Sequence, residues 1–76
     1  MVIEVFLKDK DDIERLNKVA CEQPFDMSVS YGYTIFDAKS LLALYTLVGK
    51  SVYIVAPDEL DYRRFAKVVK KMKLAA

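Results

Sequence analysis

The sequence predicts a small α+β domain: an open-faced sandwich of four strands, mostly antiparallel, with its helices packed on one face. Three observations lead there. Apolar periodicity switches between two and about 3.6 along the chain. The order of the resulting segments is β-α-β-β-α-β-α, which contains one hairpin, so the sheet is not all parallel. The strands alternate apolar and polar residues, as strands do when one sheet face stays wet.

Val2 to Lys8 reads as the first strand, with Ile3, Val5 and Leu7 on one face. Asp9-Lys10-Asp11-Asp12 then opens a helix. An aspartate cap, with Glu14 in the first turn, suits the positive end of the helix dipole. Ile13, Leu16 and Ala20 form its inward stripe, Arg15 and Lys18 point outward, and Pro24 ends it. Phe25, Met27, Val29 and Tyr31 alternate with Asp26, Ser28 and Ser30. Gly32 supplies a turn and Tyr33 to Asp37 returns, so residues 25–37 form a hairpin.

Asp37 is expected to cap a helix from Ala38 to Val48, with Gly49 in the left-handed position beyond its end. Leu41, Leu44, Tyr45 and Val48 share its expected buried side, and Leu42 and Ala43 fall toward the other. Lys50 to Ala56 is the fourth strand, with Val52, Ile54 and Ala56 inward. Pro57 is the expected first residue of the last helix, followed by Asp58, Glu59 and Asp61. Tyr62, Phe65, Ala66, Val69 and Met72 make its buried stripe, and Arg63, Arg64, Lys67, Lys70 and Lys71 its wet face.

Composition limits function more than it suggests one. The chain has 76 residues and 8.7 kDa, room for one domain (1–76) that buries about 60% of its unfolded surface. One cysteine and no histidine leave no internal disulfide and no His/Cys metal cluster, and no metal or cofactor is expected. The same lack removes Ser-His-Asp and Cys-His nucleophiles and phosphohistidine transfer. Cys21, beside Glu22 with no evident cation, reads as a plain helix residue. Apolar residues are 54% and charged ones 30%, a globular balance. No run of about 18 apolar residues spans a membrane. With no basic, cleavable leader at Met1, the expectation is a cytoplasmic protein.

Charge is segregated. Residues 1–37 carry eight acids and four bases, a net of −4, and residues 57–76 three acids and six bases, a net of +3. A net charge of +1, with no groove-reading helix, argues against nucleic acid as a partner.

The stretch Asp37-Ala38-Lys39-Ser40-Leu41-Leu42-Ala43-Leu44, leading through Thr46-Leu47 to Gly49 and the strand Ser51-Val-Tyr-Ile-Val55, resembles the HPr family. HPr is the small phosphocarrier of the bacterial sugar phosphotransferase system. The likeness runs from Ile13 to about Met72. It implies the β-α-β-β-α-β-α sandwich and a second helix that docks partner proteins, here through Lys39, Leu41, Leu42 and Tyr45. Ser40 matches the serine that an ATP-dependent kinase phosphorylates in HPr proteins of many Gram-positive bacteria. Read as the third helical residue, it would place added charge at the positive dipole end. The expected partners are then a phosphotransferase-system component, an HPr kinase or a transcription regulator.

The departure lies at the first helix. The family's phosphorylatable histidine, in a Gly-Leu-His-Thr-Arg-Pro-like sequence, has no counterpart, and Asp9, Lys10 and Asp11 occupy its place. No catalytic residue carries over, so a non-enzymatic, regulatory or interaction role is expected. A branch of the family, the HPr-like catabolite-repression co-regulator, also lacks the histidine and keeps the serine. The alternatives are residual phosphoryl transfer through an acceptor such as Asp9, or an unrelated binding role on the same fold.

Overall fold

The computed structural model describes residues 1–76. Strands β1 (Val2–Phe6), β2 (Ser28–Tyr31), β3 (Thr34–Asp37) and β4 (Ser51–Val55) form one sheet in the order β1-β4-β2-β3, with every neighbouring pair antiparallel. Helices α1 (Lys10–Cys21), α2 (Leu41–Leu44, continued by a 3₁₀ turn over Tyr45–Leu47) and α3 (Tyr62–Lys71) complete the fold. The expected sandwich is the observed one.

Register explains which side chains the helices cover. Ile3 pairs with Ile54, Ile54 with Val29, and Val29 with Phe36, so these four share one row of the covered face. Val5, Leu7, Met27, Val29, Val52, Ile54 and Ala56 are buried there. Against them pack Ile13, Leu16, Val19 and Ala20 of α1 and Phe65, Val68, Val69 and Met72 of α3. Their i, i+3, i+4, i+7 spacing turns each apolar stripe onto the sheet. The next row, Glu4–Tyr53–Ser30–Ile35, lies on the open face.

Two glycines serve backbone geometry. Gly32 has φ of +59° at the first central position of the two-residue hairpin loop, where a type II′ turn takes glycine. Gly49 has φ of +81° just past the 3₁₀ turn, and its N–H donates to the Leu7 carbonyl at 2.6 Å. The chain beyond β1 is thereby tied to the end of the α2 region.

Several elements are shorter than their sequence pattern. The 38–48 helix begins only at Leu41: Asp37 ends β3, its side chain accepting the Lys39 N–H at 2.9 Å, and Ser40 is the cap residue. The last helix begins at Tyr62, not Pro57. Asp61 caps it by accepting the Arg63 N–H at 3.0 Å, and Pro57–Leu60 is a hydrogen-bonded turn. Proline fixes φ alone and suits a turn equally well, whereas the aspartate supplies an acceptor for a free helical amide. With the start moved, Tyr62 is exposed and Val68 takes a core position.

Candidate functional site

At the start of α1, two of the three carboxylates have a structural task. Asp9 is the N-cap and its Oδ1 accepts the Asp12 N–H at 3.1 Å. Asp12, 2% exposed, accepts the Lys8 N–H through Oδ2 at 2.9 Å. The pair resembles a capping box displaced by one residue. Arg15 closes the group: its guanidinium pairs with Asp12, and its Nε donates to the Met72 carbonyl at 2.7 Å. Arg15 therefore does not simply face solvent as its position outside the inward stripe suggested. It bridges the start of α1 to the end of α3, where a carbonyl at the helix C-terminus welcomes a cation.

Lys10 and Asp11, the other residues of this region singled out by sequence, are exposed in the first turn. An incoming phosphoryl group meets three aspartates here, and one first-turn amide already has its anion. Helix N-termini bind phosphate through free N–H groups and positive potential. Asp9 takes up one of those N–H groups, that of Asp12, and the three carboxylates oppose the positive potential.

The α2 region is built in the opposite way. Leu44 and Leu47 are buried, Leu41, Ala43 and Tyr45 are half-buried, and Leu42 is 82% exposed. Val48, expected on the buried side, is exposed because the chain tightens to 3₁₀ geometry after Leu44. At three residues per turn, Leu47 eclipses Leu44 and takes the inward position, which swings Val48 out.

The four residues expected to bind a partner are not equivalent. Leu42 alone is uncommitted. Lys39 donates from Nζ to the Gln23 carbonyl at 3.2 Å, and Leu41 packs on the core. Tyr45 rests against the core and donates its hydroxyl to Glu14 Oε2 at 2.7 Å. That hydrogen bond raises the Tyr45 pKa above the usual tyrosine value, with desolvation and the Glu14 charge adding in the same direction. Sequence reading missed Glu14 in this role; its place one helical turn after Lys10, on the side away from the core, was the available signal.

Ser40 is exposed, with φ −100° and ψ +94°, and its side chain makes no capping hydrogen bond. Its hydroxyl is sterically free. As the cap of a four-residue helix, however, it is not the third residue of a long one, and the dipole argument for charge at this position loses most of its strength.

The geometry places this chain among small α+β domains with one covered and one open sheet face. No protein-family model and no curated protein matches the sequence. Among solved structures, the crystal structure of HPr-C-His from Thermoanaerobacter tengcongensis is similar, with a TM-score of 0.72 and 15% sequence identity. The match covers 96% of this chain and 91% of that one. The fold is HPr-like; an identity that low speaks for fold alone.

Proposed function

We propose that this is an HPr-related protein that does not carry phosphate on histidine and acts instead by binding a protein through its α2 region. The exposure of Leu42 carries the proposal. A leucine 82% exposed on a turn whose neighbours are anchored in the core presents an apolar contact on a rigid base. Val48 is also exposed, at 41%. On this reading the protein is not an enzyme, and the partner is by resemblance a phosphotransferase-system component, an HPr kinase or a transcription regulator. Phosphorylation of Ser40, two residues from Leu42, would add about −1.5 to −2 charge beside the contact and modulate it. Absence of histidine from the 76 residues and the occupied start of α1 favour this role over phosphoryl transfer through Asp9.

The test is a pull-down comparing the protein with its Leu42→Asp variant. Preys lost with the variant are the expected result, and identical prey lists would remove the docking surface. In a parallel assay, ATP and an HPr kinase are expected to add one phosphoryl group to the protein and none to Ser40→Ala. An unchanged mass, under conditions that modify a true HPr, would reject the switch.

A further inference from the structure

The two edges of the sheet are finished differently. At the β1 edge the C-terminal segment adds a bridge, Phe6 to Ala75, with the Phe6 N–H donating to the Ala75 carbonyl at 2.8 Å. At the other edge β3 has a single neighbour, β2. The two-residue loop makes Tyr31 and Thr34 a hydrogen-bonded pair, so by alternation Ser30 and Ile35 are a non-hydrogen-bonded one. The N–H and C=O of Ile35 therefore point away from the sheet, as does the N–H of Asp37. Natural edges are blunted by short length, charged side chains, proline, a bulge or a covering segment, and β3 has the first two, being four residues long and ending in Asp37. Thr34-Ile35-Phe36-Asp37 has no lysine or proline, and Ile35 is 72% exposed.

The molecule's one cavity, about 370 Å³, adjoins this edge and is lined by Asp26, Met27, Ser28, Ile35, Phe36 and Asp37. Its charge has one sign. Neither Asp26 nor Asp37 takes part in an ion pair. Lys39, the nearest cation along the chain, turns its ammonium to the Gln23 carbonyl. An apolar wall with two carboxylates outside any ion pair, of which Asp37 accepts the Lys39 N–H at 2.9 Å, suits a side chain with an alkyl stem and a cationic head, as lysine and arginine have.

We propose that the free edge of β3 and the cavity beside it bind an extended basic peptide segment of a partner as a fifth strand. Main-chain hydrogen bonds to Ile35 and Asp37 hold the segment, and a lysine or arginine in the cavity selects it. A second copy of this chain fits less well. Pairing two four-residue edges covers far less than the roughly 1,000 Å² of a stable interface and leaves both acidic cavities empty. The site uses neither Leu42 nor Val48 and does not depend on the reading of the α2 surface.

The probe is an acetylated, amidated hexapeptide of alternating valine and lysine, titrated into ¹⁵N-labelled protein. Shifts centred on Ile35, Asp37 and Asp26, with slowed exchange of the Ile35 amide, are expected. The Asp26→Asn, Asp37→Asn double variant should bind about threefold to tenfold more weakly. A peptide of alternating valine and glutamate, or a backbone N-methylated valine–lysine peptide, should not bind. Equal binding of the acidic peptide, shifts centred elsewhere, no shifts at millimolar peptide, or self-association without peptide would each overturn the proposal.

Discussion

The start of α1 and the α2 region differ in how completely the chain satisfies itself. At α1 every aspartate but the exposed Asp11 has a backbone donor, and Asp12 also has Arg15. At α2 the cap serine makes no side-chain bond, the helix closes after four residues, and a leucine stands in water. A self-satisfied helix start has little to offer a ligand. An under-satisfied apolar turn does. The two regions are nevertheless joined, through the Tyr45–Glu14 hydrogen bond and through the Gly49 amide on the Leu7 carbonyl.

If the carboxylates at α1 are structural, removing one must cost stability. Asp12→Ala strands the Lys8 N–H and leaves Arg15 without its carboxylate, and is expected to destabilise by about 2 kcal/mol. A urea double-mutant cycle with Arg15→Ala checks this, and should give less than additive losses. The junction between the regions comes next. Gly49→Ala meets no atom within 4 Å but holds φ at +81°, so its cost is backbone strain alone, about 1–2 kcal/mol, read as a lower urea midpoint at unchanged slope.

Tyr45→Phe sharpens the comparison spectroscopically. The raised Tyr45 pKa means its bond stabilises the fold below the pKa of an unfolded tyrosine and is lost as pH rises through the higher folded value. Tyr45 should ionise late in an ultraviolet absorbance titration, Tyr45→Phe should abolish that late step, and Glu14→Gln should move it to lower pH. The smallest stability effect belongs to Leu42→Asp, within about 0.5 kcal/mol by urea unfolding, because an exposed side chain has little packing to lose. A large loss there would mean Leu42 serves the core and not a partner.

Sequence reading reached the architecture because the hairpin at Gly32, the inward residues of β2 and β4 and the stripe of α1 each repeat one simple period. It failed where two physical signals competed. Pro57 and Asp61 could both start the last helix, and the capping carboxylate prevailed. In 38–48 the phase was read at 100° per residue throughout, so the 3₁₀ shift that buries Leu47 and exposes Val48 could not be read. The long-range partners of Arg15, and of Tyr45 in Glu14, link segments 57 and 31 residues apart, a distance no local pattern spans. Of the residues marked for partner binding, Leu42 was legible from helical angle alone; the tethering of Lys39 was not.

On the proposed reading, this HPr-like fold has a first helix that takes no phosphate. Intact-mass measurement after incubation with phosphoenolpyruvate and Enzyme I, with a true HPr as positive control, tests it most directly. No change in mass is expected while the control gains about 80 Da, one phosphoryl group. The same gain on this chain, abolished by Asp9→Ala, would contradict it.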